Sequence, residues 1–386
     1  MANISFTSSI TKFCLITITA ILIFFTLSTA KAKNISTKPF QRIYAFGDAE
    51  TDAGNTKSST GPTIFRYVSN HPYGQTFFGH PTNRYSDGRL MIDFVAENLS
   101  LPYLRPYLNE KANKSHGVNF AFAGSTALTH NFFVNNNLTF DTTPVSLQTQ
   151  LGWFNEFELS LPTFYRPSVL ECEAEYVTDA LFWVGEIGAN DYAYSYRSSV
   201  PTKTIQELAT NSVIDFLQAL LNKGAKYIVV QGLHPTGCLT LSMEVTPTND
   251  RDNMGCVASV NSRIYSHNTI LQAKLNGLRE KFPQAIILYA DYWNAFQHVF
   301  QNPGEYGFDE RFKACCGTDG GTYNFNVLFP CGSPPSTACD NPSKYINWDG
   351  GHLTEAMYKV MTRLFITGAF CDPPWSHLIS KKMQSG

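Results

Sequence analysis

Residues 204–233 constrain the fold more than any other stretch. Ile205, Leu208, Ala209, Phe216, Leu217, Leu220 and Leu221 form a helical stripe, and "GAKYIVVQGL" (224–233) follows at once. An apolar stripe at helical period must cover another surface, and a continuous β-branched run must be covered on both faces. Gly224 between them suits a helix C-cap. The pattern recurs: 258–281 carries Val260, Ile264, Leu271, Leu275 and Leu278, and "AIILYADYW" (285–293) reads as another buried strand. Upstream, "QRIYAFGD" (41–48) and "ALFWVGEIGAND" (180–191) are strand-like runs that break at glycine, and 353–367 reads as a helix. This alternation predicts an α/β fold with a mostly parallel sheet covered on both faces. Functional residues of such sheets gather beyond the carboxyl ends of strands, where the breaks at 47–48 and 188–191 fall.

With 386 residues and 43% hydrophobic content the chain can bury a large core. Only 16% of residues are charged and the net charge is −2, so neither nucleic acid nor an anionic membrane surface is an expected partner. No linker-like tract divides the chain after its first residues, which predicts a single domain over 33–386.

The first 32 residues differ from the rest. Lys12 precedes "FCLITITAILIFFTL" (13–27), and "STAKA" follows with small residues at Ala30 and Ala32. This pattern predicts a signal peptide over 1–32, cleaved near Ala32. The run is shorter than the roughly 20 residues of a spanning helix, so stable membrane insertion is not expected. The protein is expected in the secretory pathway or outside the cell, with the vacuole open as a destination. Eight cysteines remain after cleavage: Cys172, Cys238, Cys256, Cys315, Cys316, Cys331, Cys339 and Cys371. An even number in a secreted chain points to disulfides. Spacing favours Cys238–Cys256 and Cys331–Cys339 as local pairs and leaves the others unassigned. The CxxC pairs of a structural zinc site are absent. Asn34, Asn98, Asn113 and Asn137 each open an Asn-x-Ser/Thr sequon. The stretch 313–345, rich in Gly, Pro, Asn and Cys, reads as a long disulfide-tied loop near the site.

Four short blocks carry the chemistry: "FGDAETDAGN" (46–55), "GVNFAFAGSTA" (117–127), "GEIGAND" (185–191) and "NWDGGHLTEA" (347–356). In this order, with "NRYSDGRLMIDFVAE" (83–97), they resemble the plant GDSL esterase/lipase family of the SGNH hydrolase superfamily across nearly the whole mature chain. The resemblance implies a three-layer α/β/α, flavodoxin-like fold. It gives His352 the base role and Asp349 the orienting role. It makes the backbone N–H of residue 49, Gly124 and the side chain of Asn190 the oxyanion hole. A serine esterase needs all of these, together with a nucleophile. Here the nucleophile position holds Ala49, whose methyl group cannot attack a carbonyl.

Ser125 and Thr51 are weak substitutes. The family geometry aims the backbone near Ser125 at the oxyanion, and Thr51 is expected in the first turn of a helix, pointing elsewhere. Glu50 stands where the family usually carries an apolar residue. Near a helix N-terminus it would be a favourable surface charge, with an extra acid/base as the alternative. A second change beside Ala49 favours a natural replacement over a single engineered one. Three functions then compete. The first is a repurposed catalyst using His352–Asp349 and the oxyanion hole for isomerisation, elimination or cyclisation. The second is a non-catalytic ligand-binding protein, and the third a residual hydrolase acting through His-activated water. Expected partners are a small ester, acylated or carbonyl metabolite. No cofactor or metal is expected, and the chain is expected to act as a monomer.

Overall fold

A computed structural model describes residues 38–138, 143–161, 176–196, 198–318 and 320–385. The signal segment with Asn34, and Cys172, lie outside the described residues. Seven strands build the main sheet: β1 (Ile43–Phe46), β2 (Arg105–Pro106), β3 (Gly117–Asn119), β4 (Leu181–Val184), β5 (Tyr227–Gln231), β6 (Ile286–Ala290) and, after a small hairpin of β7 (Cys316–Gly317) and β8 (Thr337–Ala338), the edge strand β9 (Cys371–Asp372). Their order is β2-β3-β1-β4-β5-β6-β9, parallel except for β9.

Successive strand residues face opposite layers. Ile43, Ala45, Leu181, Trp183 and Val229 pack with the helices Met91–Asn98, Tyr292–Gln301 and Glu355–Thr367. Tyr44, Phe46, Phe182, Val184 and Val230 pack with the helices Leu147–Ser160, Thr202–Asn222 and Ala258–Lys281. The central strands β1 and β4 are therefore apolar along their whole length, and complete burial of a side chain such as Phe46 is worth about 1.5–3 kcal/mol. The expected three-layer α/β/α fold is present.

The helix Thr202–Asn222 buries Ile205, Ala209, Val213, Phe216, Leu217 and Leu220, close to the stripe read from sequence. Gly224 ends it at φ +98°. Its N–H donates to Leu221 O (3.0 Å), and the Ala225 N–H donates to Leu220 O (3.1 Å). That pair of bonds is a Schellman motif, which satisfies the last carbonyls and delivers the chain into β5.

The disulfides correct one expectation. Cys238–Cys256 is present, but Cys331 and Cys339 do not pair with each other; the bonds are Cys315–Cys339 and Cys316–Cys331. The β7–β8 hairpin explains the change. Cys316 lies opposite Ala338, which sets Cys315 across from Cys339 with their Cα atoms 4.9 Å apart. Neighbouring strand residues point to opposite sides, so Cys316 turns away to reach Cys331. Among the described residues Cys371 is a free, buried thiol, pushed up to about 12 chiefly by burial. Asn98, Asn113 and Asn137 are exposed.

Candidate active site

The sheet order reverses beside β1, with β3 on one side and β4 on the other. Ligands of open α/β sheets bind at such a switch point, outside the carboxyl ends of the strands. The segments following β1, β3, β4 and β5 converge there.

After Phe46 the chain is clamped by a helix side chain. Gln150 accepts from the Gly47 N–H (3.0 Å) and donates through Nε2 to Gly47 O (2.8 Å) and to Ser125 Oγ (3.1 Å). Residues 48–52 then make one turn, with the Thr51 and Asp52 N–H groups donating to Asp48 O. No helix follows, contrary to the expectation for Thr51. The Asp52 carboxylate takes up the next N–H groups, from Gly54, Asn55 and Thr56, at 2.6–3.0 Å, and also that of Ala123 at 3.1 Å. Asn55 donates to Asn119 O and Ala121 O, both at 2.8 Å. The D-x-G-N frame thus ties the loop after β1 to the loop after β3. Thr51 is buried against Gly185, and Ser125 is buried against Gln150.

The loop Asn347–Thr354 brings Asp349 and His352 over this floor. Asp349 Oδ2 lies 2.8 Å from His352 Nδ1, while Oδ1 accepts the N–H groups of Gly351 and His352. Tyr73 donates its hydroxyl to Oδ2 at 2.7 Å. Burial pushes the Asp349 carboxyl up, but the His352 charge and these hydrogen bonds outweigh it, so the group sits below its ordinary value. Burial pushes His352 down, and the Asp349 carboxylate more than reverses that, with smaller help from Glu50 and Asp48. The imidazole lies between Phe65 and Tyr85, each ring centroid 4.7 Å away. Asp87 accepts the Glu355 N–H at 2.7 Å, and Arg89 pairs with Glu355, so the "NRYSDGR" segment buttresses the loop.

His352 lines a cavity of about 310 Å³ together with Ala49, Gly124 and Asn190. The four site positions read from sequence therefore meet at one place, with Asp349 behind His352. No protein acceptor takes the N–H of Ala49 or Gly124 among the described residues. Gly124 has φ +78°, and a Cβ there would lie 2.7 Å from the Tyr194 hydroxyl, so only glycine fits. The Asn190 amide is committed: Nδ2 donates to Asp48 Oδ2 (2.8 Å) and to Ser125 O (3.0 Å).

Two acidic neighbours change the picture of this floor. Glu186 was not singled out by sequence. Burial first, then the Asp48 charge, pushes its carboxyl well above the usual range, so it keeps its proton and hydrogen-bonds Asp48. Asp48 is itself pushed up to about 6, chiefly by burial. Glu50 is not the expected surface charge on a helix end: it is 3% exposed and lines the cavity. His234, after β5, places Nε2 3.1 Å from Glu50 Oε1. That contact is an ion-pair distance without hydrogen-bond alignment, and neither Glu50 oxygen has a hydrogen-bond partner. The only sequence signal for His234 was its place in "GLHPTG", just beyond a buried strand. Among the described residues no cluster of side chains is arranged to hold a metal ion. A larger, more open groove of about 1510 Å³, lined by Arg84, Tyr103, Arg105 and Lys111, contains none of these site residues.

A mostly parallel three-layer sheet, with an Asp–His pair over the carboxyl end of its central strand, is the architecture of the SGNH hydrolases. The chain belongs to the GDSL-like lipase/acylhydrolase family, whose model matches residues 43–365. It is 52% identical over 371 residues to a GDSL esterase/lipase of Arabidopsis thaliana, covering 94% of this chain and 95% of that one. It is 39% identical over 340 residues to acetylajmalan esterase 2 of Rauvolfia serpentina, covering 85% and 90%. A looser likeness links it to the structure of phospholipase A1 from Streptomyces albidoflavus, at 12% identity and TM-score 0.32 over 77% and 95% of the two chains.

Proposed function

We propose that this GDSL-family protein is a secreted catalyst of proton transfer on a small carbonyl or acylated metabolite, not an acyl-serine esterase. One observation carries the reading. His352 is oriented by Asp349 as a general base would be, and it lines a cavity whose nucleophile position is a methyl group. A base without a serine to activate can still remove or return a proton next to a carbonyl. The Ala49 and Gly124 N–H groups would stabilise the enolate oxygen. Asn190 would join them only by releasing Asp48 or Ser125. Isomerisation, elimination and cyclisation all fit this equipment.

The commitment of the Asn190 amide favours a second reading, a binding protein that holds its ligand without turnover. One experiment separates the two. Purified protein is incubated in D₂O with a metabolite extract of its source tissue, and the extract is followed by mass spectrometry. The catalytic reading expects at least one metabolite to gain deuterium or convert to a new species with wild type and not with His352→Ala. If no metabolite changes with wild type, the binding reading stands instead.

A further inference from the structure

Glu50 is the least satisfied group in the described residues near this site. Its side chain is 4% exposed, and both carboxyl oxygens lack a hydrogen bond. The buried hydroxyl of Tyr292 approaches it without completing one. Leaving a buried carboxyl without hydrogen bonds is costly, and the misaligned His234 imidazole 3.1 Å away does not remove that cost, so the group calls for a donor from outside the fold. Glu50 lines the same cavity as His352, so a bound molecule can reach it.

The surroundings indicate which donor. The lining holds the carboxyl groups of Asp48 and Glu50, with Glu186 beside them keeping its proton, against the imidazoles of His234 and His352 and one guanidinium, Arg263, whose charge lies over the Tyr192 ring at 5.9 Å. No lysine lines the cavity. The remaining walls are largely aromatic and aliphatic, and aromatic faces attract organic cations. An anionic ligand would meet Asp48 and Glu50 at close range, and a ligand without a donor would leave both Glu50 oxygens without a hydrogen bond.

We infer that the cavity takes a metabolite bearing a protonated amine, whose ammonium N–H donates to Glu50. The inference rests on the reading of this cavity as the ligand site, and it names the class of ligand. The ammonium also answers a difficulty of the proposed chemistry. An enolate forming beside Asp48 and Glu50 would be repelled, whereas a cation on the same molecule offsets that repulsion.

The probe is quinuclidine, a compact tertiary amine that is protonated at neutral pH, and its neutral counterpart is bicyclo[2.2.2]octan-1-ol. Binding to the full mature protein is followed by ligand-observed NMR titration. Wild type is expected to bind the amine and to prefer it over the alcohol by about tenfold or more. Glu50→Gln should weaken amine binding by roughly tenfold to a hundredfold, the range for a hydrogen bond to a charged group. Equal binding of amine and alcohol, or no binding of the amine to wild type, overturns the inference. So does undiminished binding to a folded Glu50→Gln protein. The amine–alcohol comparison needs no variant, so it decides the matter even if Glu50→Gln does not fold. Because this assay measures binding alone, its failure leaves the His352 deuterium experiment standing, and the reverse also holds.

Discussion

Tyr73 and His352 meet on a single oxygen. The phenol donates to Asp349 Oδ2 at 2.7 Å, and the imidazole Nδ1 stands 2.8 Å from that same atom. Tyr73 therefore competes with His352 for the charge that holds the ring. Tyr73→Phe should raise the His352 pKa further, whereas Asp349→Asn should drop it below the ordinary 6.5, because burial, the largest influence, then outweighs the smaller help of Glu50 and Asp48. Nitrogen-detected NMR titration of the ring reads both. Shifts of the same sign in the two variants would break this account.

The same pair sets a pH window for stability. Asp349 has a lowered folded pKa, so its contribution is present above its ordinary 3.8 and is lost as pH falls through the folded value. His352 has a raised folded pKa, so its contribution is complete below 6.5 and is lost as pH rises through the folded value. The Tm gap between wild type and Asp349→Asn should be widest between these two ordinary values and should narrow on either side. Thermal melts across pH 3 to 9 (about six points suffice) check it.

Ala49→Ser places a hydroxyl on the cavity floor beneath His352. Hydrolysis of p-nitrophenyl acetate should rise by at least about 10², the lower end of what general-base assistance supplies. The gain should vanish in Ala49→Ser/His352→Ala. A flat result would mean that His352 Nε2 is not aimed at residue 49.

Gly124→Ala tests the close approach of backbone to cavity. Its φ of +78° is strained for alanine by about 1–2 kcal/mol. The new Cβ would also meet the Tyr194 hydroxyl at 2.7 Å and Pro62 at 2.8 Å. Calorimetry should show a lower Tm, with loss of ligand binding exceeding what the stability change alone explains.

Much of this arrangement was legible in the chain. The helix–strand alternation gave the layers, because burial on both faces leaves the central strands largely apolar. The four blocks located Ala49, Gly124, Asn190 and the Asp349–His352 pair. What stayed hidden depended on contacts distant in sequence. Glu50 looked like a surface charge because nothing local shows that the chain turns inward after Asp48. Glu186, His234 and Tyr73 gain their meaning from partners 138, 184 and 276 residues away, at Asp48, Glu50 and Asp349. Gln150 gave no signal either, since its clasp on Gly47 spans 103 residues.

Cys316→Ser should cost on the order of 3 kcal/mol if the closed loop acts through chain entropy, since the bond spans 15 residues. Cys371→Ser should cost much less, and in the folded protein Cys371 should resist thiol reagents until denaturant is added. Denaturant melts and thiol labelling measure the two.

The adjacent cysteines of β7 have a consequence for how this hairpin finds its alignment. Exchanging their partners would ask Cys315 and Cys316 to trade sides of the strand, which requires a slip of one residue against β8. Such a slip turns every side chain to the other face. Pairing chemistry and strand register therefore proofread each other: a chain that oxidises wrongly cannot zip, and a chain that zips wrongly cannot oxidise to the native set.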